Sequence, residues 1–105
     1  MGTTSLSQNR TEYEYNKGNY NILIYIELSE ITFQIKSINT NPIIKFINSF
    51  SLNRLIEINN YFVICKTLES ALRKFNNLLG ANDYFIRSNN ENNNIIHLFF
   101  HLMIL

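Results

Sequence analysis

Two consecutive runs of alternating apolar residues constrain the fold of this 105-residue chain more than any other feature. The apolar positions of the two runs are Ile22, Ile24, Ile26, Leu28, Ile31, Phe33 and Ile35. Apolar residues at every second position are typical of a β-strand that buries one of its faces. Since only Ser29 and Glu30 separate the runs, the strands must be antiparallel, because a parallel return needs a crossover of about a dozen residues.

The segment that follows predicts a third strand and then a change to helical spacing. Residues 39–42 have the composition of a turn, and residues 43–50 are predicted as the third strand. From Ser51 onward, apolar residues recur at three and four positions, which predicts a short helix with Ser51 as its N-cap. Residues 61–65 are then predicted as an apolar hinge that enters the core between two helices.

A second helix is predicted over residues 67–79. Thr67 is suited to cap the free amide groups of its first turn, and Glu69 lies where the helix dipole favours an anion. Its apolar stripe consists of Leu68, Ala71, Leu72, Phe75, Leu78 and Leu79. We expect Gly80 to end the helix in the left-handed conformation that glycine adopts at low cost.

The two ends of the chain differ in character. Residues 1–18 contain one aliphatic side chain, Leu6, and are predicted to be a disordered tail preceding a single domain at residues 19–105. Residues 84–87 are predicted as a strand and residues 88–94 as a solvated, asparagine-rich loop. The last eleven residues, 95–105, are apolar but too short to span a bilayer as a helix, which favours one or two strands.

These elements predict an α+β domain with one antiparallel sheet of about five strands. Two helices are inserted after the third strand, so that the predicted order is β-β-β-α-α-β-β. The helices are expected to pack on one face of this sheet.

Charge and cysteine content limit the classes of partner and compartment. Nine basic and eight acidic residues leave a net charge of +1, which provides no long-range field for nucleic acid or an anionic membrane. Neither is therefore predicted as a partner. Cys65 is the only cysteine, which excludes an intrachain disulfide, and residues 1–8 lack the charged and apolar parts of a secretory signal. We expect a cytoplasmic protein.

Residues capable of catalysis or metal binding are few. His97 and His101 are four positions apart, which on a strand separates them by about 13 Å, too far to share one metal ion. Cys65, a histidine and Asp83 have the residue types that could act as a nucleophile, a base and an orienting acid. Cys65 follows an apolar run, however, and burial makes a thiol unreactive. We therefore predict no enzyme activity, no metal and no cofactor.

The region from Phe50 through residues 58–62, continued by residues 65–79, resembles uncharacterised modules of AT-rich protist proteins that often precede repeats or a coiled coil. More distantly, the order of elements is similar to the β-sandwich heads of the end-joining scaffold and centriolar cartwheel superfamily. The resemblance covers about residues 20–105 and implies an interaction or scaffold role without catalysis. The eighteen asparagines and sixteen isoleucines also fit codons rich in A and T.

The apolar end of the chain leads to the main functional prediction. Its odd-numbered face carries an expected interaction surface of His97, Phe99, His101, Met103 and Leu105. We therefore expect a protein-interaction or self-association module, because a large exposed apolar surface marks a contact with another molecule. One alternative is a small enzyme or metal-dependent module that uses Cys65, His97 and His101. Another is a truncated product without a selected function.

Overall fold

The computed structural model describes residues 3–7, 10–38, 43–88, 96–100 and 103–104. The strands in this part of the chain are β1 (Thr3–Ser7), β2 (Arg10–Lys17), β3 (Tyr20–Glu27), β4 (Glu30–Ser37), β5 (Lys45–Phe50), β6 (Tyr84–Ser88), β7 (Ile96–Phe100) and β8 (Met103–Ile104). The helices are α1 (Leu52–Ile58), a 3-10 helix (Asn60–Cys65) and α2 (Leu68–Gly80).

Strands β1 to β5 form an antiparallel meander in which each strand pairs with the next along the chain. The predicted hairpin is confirmed as β3 and β4, whose register places Ile24 opposite Phe33. Ile22, Ile24 and Ile31 are fully buried, as the alternation requires. Leu28, which was assigned to the same face, is instead 89% exposed, because it lies in the two-residue turn between the strands.

The prediction of a disordered tail is wrong for β2, which comprises Arg10–Lys17 and pairs with β3 from Glu12 to Lys17. Tyr15 is buried, and its hydroxyl donates to the side-chain oxygen of Asn76 on α2. Tyr13 packs against the same core. A search for aliphatic residues overlooks this strand, because its apolar area comes from tyrosine rings that alternate with Glu12 and Glu14.

The helix N-caps are as the sequence predicts. The Ser51 hydroxyl accepts from the Arg54 amide at 3.1 Å, and the Thr67 hydroxyl accepts from the Ser70 amide at the same distance. The predicted hinge is the 3-10 helix, which buries Phe62 and Cys65.

The predicted left-handed cap at Gly80 is wrong. Gly80 is the last residue of α2, and the residue with positive φ is Asn82, at 59°. A Cβ at Gly80 would lie 3.4 Å from the Tyr15 hydroxyl, an ordinary van der Waals contact, so β2 and the end of α2 are neighbours there without requiring glycine.

Phenylalanine rings join the helices to both sheets in the core. Phe75 of α2 is fully buried, with ring centroids 5.1 Å from Phe33 of β4, 5.3 Å from Phe62 and 5.2 Å from Phe100 of β7. The two sheets therefore contribute to one hydrophobic core around α2.

The predicted α+β class with antiparallel strands is confirmed, but the predicted order of elements is wrong. Five described strands precede the helices instead of three, and β6, β7 and β8 form a separate sheet. Periodicity reports which residues face a core, but not which strands share hydrogen bonds. It therefore could not divide the strands between two sheets.

Candidate interaction surface

The structure describes only part of the predicted surface on the last strand. His97 is exposed and Phe99 is partly exposed on β7, on the side of the strand opposite to the buried Leu98 and Phe100. His101 and Leu105 lie outside the described residues. Of Met103 only the backbone is described, and it pairs with Phe100.

The backbone of the last strands changes how this surface is built. β8 runs antiparallel to β7, with Phe100 opposite Met103 and Phe99 opposite Ile104. An unbroken alternation along residues 95–105 therefore does not describe the backbone, although the sequence allowed for two strands. The neighbour that extends the exposed face beside β7 is β6, which pairs with β7 along five residues.

Four side chains from β6 and β7 form what we call the β6–β7 patch: Phe85, Arg87, His97 and Phe99. The register places Phe85 opposite Phe99 and Arg87 opposite His97. In an antiparallel pair, residues directly opposite each other share a face of the sheet. The inward side chains of the same strands, Tyr84, Leu98 and Phe100, are buried in the core.

The patch is held together by ring and cation contacts. Phe85 and Phe99 stack with their centroids 4.7 Å apart and an angle of 7° between the ring planes. The Arg87 guanidinium carbon lies 5.9 Å from the Phe85 centroid and 5.5 Å from that of Phe99. His97 lies 5.9 Å from Phe99 at a tilt of 45°. Phe85 remains 49% exposed, so that a large aromatic surface faces solvent beside a positive charge.

Sequence reasoning missed the contribution of Phe85 and Arg87. The sequence predicts residues 84–87 as a strand but assigns none of its side chains to a surface. Their place beside His97 and Phe99 depends on the register of β6 and β7, which the alternation does not specify.

The outer face of the larger sheet has a different character. The hydroxyls of Thr32 and Ser49 are hydrogen-bonded at 2.8 Å, and the Gln34 amide donates to the Tyr25 hydroxyl at 2.6 Å. These polar groups pair with each other across strands β3, β4 and β5. The same face also carries Leu23 and the 58% exposed Ile47, both opposite Gln34 in the register, so it mixes polar and apolar side chains, whereas the exposed face of the small sheet is aromatic.

The structure does not bring together the residues of the enzymatic alternative. Cys65 lies in the hydrophobic core, where burial raises the pKa of its thiol and the nearby Lys74 lowers it by less. His97 faces away from that core on β7, and Asp83 is exposed before β6. No three His, Cys, Asp or Glu side chains of the described residues are arranged to hold a metal ion.

Other exposed features carry less information about function. A shallow cavity of about 260 Å³ lies between β2, β3 and the end of β4, lined by Glu14, Asn21, Lys36, Ser37, Ile38 and Ile43. Ligand pockets usually enclose about 300–1,000 Å³, and this one adjoins residues outside the described part of the chain. Val63 and Ile64 are also exposed, on the 3-10 helix.

Comparison with known proteins provides no further assignment: no family model matches the chain, and no curated protein or solved structure shows significant similarity to it. Within the described ranges, no helix is both long enough and apolar enough to cross a membrane.

Proposed function

We propose that this chain is a non-catalytic protein-interaction module that self-associates through the β6–β7 patch. The observation that carries the proposal is the exposed stack of Phe85 on Phe99, with the Arg87 guanidinium carbon 5.9 Å and 5.5 Å from the two ring centroids. Aromatic residues and arginine are enriched at protein interfaces, and a few such residues often carry most of the binding energy.

The exposure of Phe85 supports a role outside folding. Its neighbours Tyr84 and Leu98 satisfy the core, whereas half of the Phe85 side chain remains in water. Burial of apolar surface is worth about 25 cal/mol per Å², so a partner that covers this ring gains affinity directly.

The charges of the chain favour a second copy as the partner over nucleic acid. The net charge of +1 creates little repulsion between two copies. A single-stranded nucleic acid would also find stacking rings here, but its backbone requires several cations along a groove. Arg87 is the one permanent cation in the patch. The resemblance to scaffold heads points to the same role and stays a prediction.

Light scattering tests the proposal. We expect the mean mass of the wild-type protein to rise between about 5 and 500 µM, the range in which weak specific association is populated. Phe99→Lys should remain monomeric, because it places a second cation beside Arg87 and removes the stacked ring. Circular dichroism must show that this variant is folded.

Val63→Lys is the matched control, since Val63 is 55% exposed on the 3-10 helix and lies outside the patch. It should associate as the wild type does. A wild-type protein that is strictly monomeric over the whole range, or a Phe99→Lys variant that associates equally well, would refute the proposal.

A further inference from the structure

We infer that two copies join edge to edge through β6, in an antiparallel register centred on Phe85, so that their small sheets become one continuous sheet. This inference rests on the proposed function and specifies its geometry. Within the described part of the chain, β6 pairs with β7 on one side only and forms an edge of its sheet.

The β6 edge lacks the features that usually prevent edge-to-edge pairing. Natural edge strands carry lysine, proline or bulges, or are very short. β6 is five residues long, contains no proline and carries Arg87 as its only charge. The opposite edge of the sheet, β8, is protected by being only two residues long.

The Phe85 ring indicates the direction from which a partner approaches. Its centroid lies 4.7 Å from that of Phe99, its direct neighbour across the strands. This distance equals the spacing of adjacent strands, so the rings stack along the hydrogen-bonding direction. One face of Phe85 is therefore covered by Phe99, and the other face is directed over the free edge of β6.

A two-fold axis at Phe85 uses that free face. Phe85 of one copy lies opposite Phe85 of the second copy, which extends the stack from two rings to four. The same register places Arg87 opposite Asp83 of the second copy, twice, by symmetry. Asp83 directly precedes β6, and both it and Arg87 are exposed. The edge is thus complementary to itself in charge.

Neighbouring registers are less favourable. A shift by an odd number of positions would place the aromatic side of one strand beside the core side of the other. An axis at Arg87 would place two guanidinium groups directly opposite each other, which is destabilising. A two-fold axis at Ile86 keeps the aromatic sides of the two strands together, but it does not place Asp83 of one copy opposite Arg87 of the other. The register centred on Phe85 is the one that pairs both opposite charges.

Charge exchange between copies tests this register. Arg87→Asp alone places two pairs of acidic groups opposite each other, and Asp83→Arg alone places two pairs of basic groups opposite each other. We expect each variant to associate about tenfold more weakly than the wild type. An equimolar mixture of the two variants should form a heterodimer with nearly wild-type affinity, because each acid then meets a base. Light scattering and sedimentation velocity measure all three samples.

The outcomes separate the inference from the proposed function. A mixture that associates no better than either variant alone overturns the register, while wild-type association that Phe99→Lys abolishes still upholds the proposed function. Charge variants that each associate like the wild type also overturn the register. A wild-type protein that stays monomeric overturns both. Melting temperatures of the single variants, each at low concentration, verify that the substitutions leave the fold intact.

Discussion

Two phenylalanines on different sides of the small sheet should respond differently to the same substitution, one by a loss of stability and the other by a loss of association. Phe75 is fully buried between β4, the 3-10 helix and β7, whereas Phe85 is 49% exposed in the β6–β7 patch. Phe75→Ala should therefore destabilise the fold and Phe85→Ala should mainly abolish association. The pair removes the same atoms, so a difference between the variants reports only on the surroundings of each ring.

The magnitude for Phe75→Ala follows from its burial. Truncating a buried phenylalanine costs about 3–5 kcal/mol, since the lost burial adds to the free energy of the cavity that remains. A domain of this size has a free energy of unfolding of about 5–15 kcal/mol. Each kcal/mol corresponds to about 4 °C in melting temperature for a chain of about 100 residues. We expect Phe75→Ala to lower the melting temperature by about 12–20 °C.

The magnitude for Phe85→Ala is smaller, because the ring stays half in water. The lost contact is one cross-strand pair with Phe99, worth at most about 1 kcal/mol. The melting temperature measured on monomer at low concentration should fall by no more than about 4 °C. Light scattering at high concentration should show no association.

Urea unfolding of both variants, followed by circular dichroism at low micromolar concentration, provides the comparison. If Phe85→Ala loses as much free energy of unfolding as Phe75→Ala, the exposed ring serves the fold and the interaction argument is refuted. If Phe75→Ala costs less than about 1 kcal/mol, the ring does not occupy the shared core described above.

Three further predictions concern the turns and the buried titratable groups. Leu28 and Ser29 both have positive φ, at 52° and 64°, so replacing them with Asn and Gly should stabilise the fold by about 1 kcal/mol; a lower melting temperature would contradict this. Burial raises the pKa of Tyr15 and Tyr84 above 10.0 and that of Cys65 above 9.0. As the pH rises, these groups therefore ionise first in the unfolded state. The free energy of unfolding should be constant below about pH 9 and fall at higher pH. Urea titrations that give the same free energy of unfolding up to about pH 11 would contradict this. The Cys65 thiol should react with a disulfide reagent only as fast as the protein opens, and rapid labelling of the folded protein would show that it is accessible.

Local patterns predicted the elements that depend on nearby residues. Ser51 and Thr67 cap their helices because a hydroxyl reaches the amide three positions later without help from the rest of the fold. The β3 and β4 hairpin follows from its alternation and its two-residue connection. These interactions span few residues, which is why a single sequence reveals them.

Errors arose where distant residues decide the outcome. Tyr15 becomes part of a strand because its ring and hydroxyl meet α2, sixty-one positions away. The left-handed conformation expected at Gly80 is adopted by Asn82. Neither effect leaves a mark in the residues immediately around it.

The interaction surface shows the same division. Alternation along the last strand predicts that His97 and Phe99 lie on the face opposite to Leu98 and Phe100, because side chains on a strand alternate between its faces. Only the tertiary structure decided that β6 and β7 are neighbours in a register that stacks Phe85 on Phe99. The physical reason is that strand pairing is a long-range contact, and periodicity within one strand carries no information about its neighbour.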